Sequence, residues 1–315
     1  MRLFILSIFS IILSSCSTTS NKEVTFASVD FDNNIFVREV PFISNKRAMG
    51  QVLGPMPPEE FETHFSQPVE KKKVIGMILS PGLYKSISYI PMLACLEEIG
   101  AEVHYVSGSG FSSIVASLYA YGLTPEQIEW KLYKLVGELS EYEVYSSEWK
   151  ELLNEFIDKE FKQKKIENSK KALALNSYSF ENKHNETLFR GEINSILKAN
   201  ISYQDQNGKL NPLFGSPYDV IKNLKTRVDY IIYVDSLGKE LKLNSTNNYI
   251  FGLYSKAVGY NLKNEFDVDM LLSIPLEKWP LDESRRFNDF IQIGRDLCSN
   301  LKTKLESLSD VEKKE

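Results

Sequence analysis

The run Val74-Ile75-Gly76-Met77-Ile78-Leu79 constrains the fold more than any other stretch of the chain. It is too short for a buried helix, and it lacks the polar alternation of a strand with one wet face. It therefore reads as a strand covered on both sides, the kind from which parallel sheets are built. Ser80-Pro81-Gly82 ends it. A helical stretch follows from about Ser86 to Ile99, with Ile90, Leu93, Leu96 and Ile99 on one face and Gly100 at its end. Pro91 lies inside that stretch and is expected to remove a backbone hydrogen bond or kink the first turns. Glu102–Val106 reads as the next strand, Ser107-Gly108-Ser109-Gly110 as a sharp turn, and Phe111–Tyr121 as a helix closed by Gly122. Thr124-Pro125-Glu126-Gln127 is a capping box with proline at the first helical position, and its helix runs to Leu139. Further helices are expected over Ser147–Phe161 and Arg286–Leu301, and strands over Ala172–Tyr178 and Val228–Val234. Strands alternating with helices predict an α/β fold of three layers, with a mostly parallel sheet between two helical faces.

Composition removes several function classes. The 315 residues are 43% hydrophobic and 25% charged, as in ordinary globular proteins. With 37 basic residues against 42 acidic ones the net charge is −5, which argues against a nucleic-acid partner, since phosphate binding needs a concentrated basic face. His64, His104 and His184 lie far apart without companion ligands, so neither a metal nor another cofactor is expected. Three cysteines are too few for a disulfide framework, and Cys95 and Cys298 read as small buried hydrophobes on helix faces.

The beginning of the chain reads as a processing signal. Arg2 precedes the apolar run Leu3–Leu13, which falls short of the roughly 20 residues that span a bilayer. Leu13-Ser14-Ser15-Cys16 resembles a bacterial lipobox. That resemblance implies a lipoprotein signal peptide over 1–15, acylation of Cys16 (palmitate among the chains), and attachment to a membrane through Cys16. Ser17 stands where an inner-membrane retention signal would place Asp, so the resemblance implies the outer membrane, facing the periplasm or the surface. Residues 16–71 read as a tether and N-terminal extension, 72–305 as the domain, and 306–315 as a polar tail. Lys71-Lys72-Lys73 is a solvated boundary or a contact for anionic head groups.

Two glycine-bearing turns carry a second resemblance. Leu79-Ser80-Pro81-Gly82-Leu83-Tyr84-Lys85 with Leu96-Glu97-Glu98-Ile99-Gly100 resembles the first motif of patatin-like phospholipases. Val106-Ser107-Gly108-Ser109-Gly110-Phe111-Ser112, followed by Leu118-Tyr119, resembles that family's nucleophile elbow and its helix. Gly191–Ser202, Pro217-Tyr218-Asp219-Val220, Val228–Asp235 and Ile291–Arg295 resemble later family segments in the same order. The family implies lipid acyl hydrolysis by a Ser-Asp dyad, with backbone N–H groups of the glycine loop facing the oxyanion and an apolar groove for acyl chains.

The chain departs from that pattern at each chemical part. Counting back from Leu118-Tyr119 puts Gly110, which has no side-chain nucleophile, at the family's nucleophile position. Ser109 and Ser112 are fallback nucleophiles, but a slip of one residue turns a helical side chain by about 100°. Asn211, or Lys209 with a different gap, stands at the family's aspartate position, and Asn is not a base. Asp205 reads as a solvated turn residue and Asp219 as a helix N-terminal acid. In the glycine loop only Gly82 and the basic Lys85 remain, while Pro81 removes an N–H and Leu83 and Ser86 replace glycines. Three altered parts point to a retained fold without the hydrolysis, acting by binding a phospholipid, an acyl chain or a protein. The alternatives are an active hydrolase using a displaced serine, and a purely structural envelope protein.

Overall fold

A computed structural model describes residues 73–179, 184–201, 217–245, 248–262, 267–299 and 301–303. Its centre is a six-stranded sheet of β1 (Ile75–Leu79), β2 (Val103–Gly108), β3 (Ala172–Ser179), β4 (His184–Leu188), β5 (Tyr230–Asp235) and β6 (Met270–Ser273). The strand order is β4-β3-β2-β1-β5-β6. All neighbours are parallel except β3 and β4. The sequence expectation of an α/β fold with a mostly parallel sheet holds. β1 lies between β2 and β5, and all of its residues are buried.

The apolar run of β1 divides between two faces. Ile75, Met77 and Leu79 enter the larger core, while Ile78 joins a smaller one with Val220, Ile221, Leu224, Ile231 and Tyr233. Helices cover both faces, which is why no polar alternation is visible in β1. Gly76 is the exception in that run. A Cβ there would stand 3.2 Å from Val228 and 3.5 Å from Leu224, so the glycine admits the helix packed on the second face.

The helices are α1 (Tyr89–Glu98), α2 (Ser112–Ala120), α3 (Pro125–Leu139), α4 (Ser147–Phe161), α5 (Ile193–Ile201), α6 (Tyr218–Lys225), α7 (Asn248–Leu262) and α8 (Phe287–Asp296). The capping box of α3 forms as expected: Gln127 N donates to Thr124 Oγ1, and Thr124 N donates to Gln127 Oε1. The sequence pattern does not mark α5, α7, β4 and β6 as helices or strands, and of α6 it marks only the N-terminal acid Asp219. Several are short, and a four-residue strand carries little periodicity.

Two expectations need correction. The helix expected over 86–99 is a 3-10 turn, Leu83–Ser88, followed by α1. Pro91 is the third residue of α1, where a backbone N–H has no intrahelical acceptor to lose, so it does not break the helix. Cys95 and Cys298 are not separate buried hydrophobes. They form a disulfide, with Cα atoms 5.6 Å apart. The partners are 203 residues apart in sequence, a separation that no local pattern reports.

Candidate functional site

The parallel strands β1, β2 and β5 end on one edge of the sheet, and the residues singled out by sequence gather there. Ligand sites of α/β sheets open at such carboxyl edges. β2 leads through Ser109, Gly110 and Phe111 into α2 with a very short connection. Gly110 takes φ +59°, in the left-handed region that L-residues disfavour. Gly108 is required for a different reason: a Cβ there would stand 2.5 Å from the Ser112 carbonyl oxygen and 2.8 Å from the Ser113 Cα. The strand therefore runs directly against the first turn of α2. The chain thus turns from strand to helix in a tight bend with Gly110 at its apex.

The neighbouring serines are committed to holding that bend. Ser112 Oγ accepts from Ser109 N at 2.9 Å and shares its own proton between the carbonyls of Ser109 (2.8 Å) and Leu79 (3.1 Å). Ser113 Oγ donates to the Gly110 carbonyl. Ser109 Oγ accepts from Asn176 Nδ2 at 3.3 Å. Among the described residues no carboxylate is hydrogen-bonded to Ser107, Ser109, Ser112 or Ser113. The apex itself is tied by Asn200 of α5, whose Oδ1 accepts from Gly110 N at 3.0 Å.

Asn200 and Asn176 are functional-edge residues that the sequence reading did not pick out. A signal for Asn200 was present. Ile193, Ile196, Leu197 and Ile201 form the buried face of α5, and Asn200 sits on the same face. A fully buried amide amid an apolar helical stripe needs a polar partner.

The glycine loop after β1 is closed. Gly82, Leu83, Tyr84 and Lys85 are all buried. Leu83 takes φ +43°, so a leucine occupies a backbone shape in which glycine is at ease. A Cβ on Gly82 would fall 2.4 Å from Ser236 Oγ, which explains why this glycine persists. Lys85 is fully buried, and its Nζ has no hydrogen-bond partner among the described residues. Burial pushes its pKa down from 10.5 to about 8, against the attraction of Glu277 and Asp235, with Lys242 adding to the depression.

A second polar cluster sits where β1 and β5 end. Asp235, the last residue of β5, is buried and accepts from Leu237 N (3.0 Å), Gly238 N (3.2 Å) and Ser80 Oγ (3.1 Å). The Tyr89 hydroxyl lies 2.8 Å from Ser80 Oγ and 2.6 Å from Ser236 Oγ. Burial raises the Asp235 carboxyl above its ordinary 3.8 and outweighs these hydrogen bonds, with Glu277 raising it further. Burial likewise raises the Tyr89 hydroxyl. Sequence reasoning named Asp235 only as the end of a strand. It could not foresee that a serine and an acid 155 residues apart would meet.

The remaining sequence candidates separate cleanly. Cys16, Asp205 and Asn211 lie outside the described residues. Asp219 falls in the first turn of α6, the helix-terminal position expected of it. His104 Nδ1 accepts from Ile75 N at 3.3 Å, between two strands. Among the described residues no three His, Cys, Asp or Glu side chains come together as a metal site, and no helix is long and apolar enough to cross a membrane. A groove of about 630 Å³ lies elsewhere, between α3 and α4. Its floor includes Leu123, Leu135, Leu152 and Phe156, and none of its lining residues belongs to the elbow or the glycine loop.

No family model matches the chain, and no curated protein matches it. Among solved structures the chain is similar to a chain in the complex of full-length SpcU with full-length ExoU from the type III secretion system of Pseudomonas aeruginosa, at 12% identity over 75% of this chain and 52% of that one, with TM-score 0.37. It is similar to VipD from Legionella pneumophila at 11% identity over 74% of this chain and 67% of that one, with TM-score 0.37. A separate structure of the type III effector protein ExoU gives 12% identity over 74% and 53%, with TM-score 0.36. The chain thus spans about half the length of the ExoU chains it resembles.

Proposed function

We propose that this chain is an acylated envelope lipoprotein whose patatin-like domain binds an acyl chain or phospholipid and does not hydrolyse it. The observation that carries the reading is Gly110, which occupies the apex of the strand-to-helix elbow in a left-handed conformation and offers no attacking oxygen. The engagement of Ser109, Ser112 and Ser113 in the bend supports it, because a hydroxyl that holds a turn is not poised for attack. The Ser80–Asp235 hydrogen bond does not supply a substitute, since both residues are buried and the carboxyl faces backbone donors.

A binding role needs space, and the groove between α3 and α4 has the volume of a small-ligand site. Its apolar floor suits a hydrocarbon chain. Lys131 and Lys134 at the rim suit an anionic head group, although Lys131 is paired with Glu160 and Lys134 lies over the Trp130 ring. The lipobox-like Leu13-Ser14-Ser15-Cys16 after the apolar run supports acylation of Cys16, and Ser17 in place of a retention Asp supports attachment to the outer membrane.

A second reading, a purely structural envelope protein, is favoured by the burial of the elbow itself, where Ser109 is 8% and Phe111 1% exposed. Four measurements test the proposal, and the fatty acid titration among them separates it from the structural reading. A fluorophosphonate probe is expected to label no serine of the folded chain, and short acyl esters are expected to survive. A fatty acid titration is expected to give saturable quenching of Trp130 fluorescence, whereas no saturation would favour the structural reading. A palmitate analogue should label the wild-type chain and not Cys16→Ser. Ester turnover that disappears in Ser109→Ala or Ser112→Ala would overturn the non-hydrolytic reading.

A further inference from the structure

We infer that the Cys95–Cys298 bond is a structural disulfide, installed by exchange with an oxidising protein disulfide outside any thiol-reducing compartment, and that it clamps the C-terminal segment onto the helix that follows the glycine loop. The Cα separation of 5.6 Å is in the range that a disulfide spans without backbone movement. The packing of α8 on the 3-10 turn and α1 surrounds the bond. Gly294 of α8 lies against the 3-10 turn and α1, where a Cβ would fall 2.5 Å from the Ser88 carbonyl oxygen and 3.1 Å from Pro91. Phe290 and Ile291 of α8 are buried in the main core. Cys298 stands just beyond the end of α8, and Cys95 is 2% exposed within α1.

The position gives the bond a purpose. Chain ends fray unless something ties them down, and this bond fixes the segment leading to the buried Leu301. It also closes a loop across 203 residues, which restricts the unfolded chain over most of the domain. Thiols in a cytosol buffered by glutathione and thioredoxin stay reduced, so a structural bond of this kind belongs to a chain that matures in an oxidising compartment.

The chemistry balances with a disulfide-bearing oxidant. Cys298, the more exposed partner, loses its proton, and its thiolate attacks one sulfur of the oxidant's disulfide. That disulfide breaks and a mixed disulfide forms. The Cys95 thiolate then attacks the Cys298 sulfur and expels the oxidant's second thiolate. Two cysteine thiols lose two protons and two electrons, and the oxidant leaves as a dithiol.

This inference does not depend on lipid binding or on acylation of Cys16. The test uses the full chain exported by its own N-terminal stretch, compared with the chain lacking residues 1–15 and kept in a reducing cytosol. Each is denatured without reductant, alkylated with iodoacetamide and mapped by mass spectrometry. The exported chain is expected to yield a linked Cys95–Cys298 peptide pair with neither residue alkylated, and the cytosolic chain to carry alkyl groups on both. Reduction of the exported chain should lower Tm by about 5–10 °C. The Cys95→Ala/Cys298→Ala double variant should melt with the reduced wild type, and circular dichroism checks that it is folded. Alkylation of both residues in the exported chain, or an unchanged Tm after reduction of a linked pair, would overturn the inference. Cys16→Ser should keep the linked pair, so loss of palmitate labelling and loss of the disulfide are read separately.

Discussion

The elbow after β2 and the cluster at the ends of β1 and β5 occupy the same edge of the sheet, yet they are built in opposite ways. At the elbow the backbone has the shape that would display a nucleophile, a left-handed apex at Gly110 between a strand and a helix, but the apex has no hydroxyl. At the β1–β5 edge a serine and an acid are hydrogen-bonded, Ser80 to Asp235, but both are sealed in the interior and bound to backbone and tyrosine. One region has the geometry without the reactive atom, and the other has the atoms without access. Reactivity at a serine needs both at one place, and the non-hydrolytic reading we propose rests on that separation.

Substitutions in the two regions test this contrast. The largest effect is expected from Gly108→Ala. Its Cβ would meet backbone atoms of Ser112 and Ser113, which cannot swing aside, so stability should fall by about 3 kcal/mol in urea denaturation. Asp235→Asn comes next, at about 2 kcal/mol, because an amide N–H₂ would face donors that now meet a carboxylate oxygen. It should also change the pH dependence. The folded pKa of Asp235 is raised, so the native state holds a proton that the unfolded state releases. Wild-type stability from this group is therefore full below 3.8 and declines as pH rises from there through the folded value. Urea midpoints measured across that window should lose the decline in the asparagine variant.

Lys85→Met carries the opposite sign. The lysine's folded pKa is depressed to about 8 from 10.5, so the unfolded chain binds the extra proton between those values and wild-type stability rises with pH there. The methionine variant should lack that rise and be more stable at pH 7 by about 1–2 kcal/mol, as replacing a buried charge with a well-packed apolar side chain often is. A loss of stability at pH 7 would show that the attraction to Asp235 and Glu277 outweighs burial, and would tie Lys85 to the β1–β5 cluster. The smallest effect is expected at Ser109→Ala, about 1 kcal/mol or less for the 3.3 Å hydrogen bond from Asn176. Fluorophosphonate labelling should not change in that variant.

Much of the scaffold was legible before any coordinates. The apolar run of β1 announced a strand covered on both faces, and Thr124 with Gln127 announced the start of α3. Ser107-Gly108-Ser109-Gly110 announced a sharp turn, and Gly110 takes the left-handed φ there. The serine rivals were harder to judge. That Ser112 would serve as the bracket between β1, Ser109 and α2 depends on a carbonyl 33 residues away. The expectation that Pro91 would disturb its helix failed because the preceding turn is a 3-10 segment that shifts the helix start to Tyr89.

Periodicity, caps and allowed backbone angles made β1, β2, β3, β5, α2, α3, α4 and α8 readable along the chain, because those features rest on contacts within a few residues. It took the packing of the folded domain for Asn200 to hold the apex across 90 residues, for Ser80 to meet Asp235 across 155, and for Cys95 to find Cys298 across 203. Each of those meetings follows from how helices pack on a finished sheet, and a chain read one turn at a time carries no record of which distant side chain will arrive.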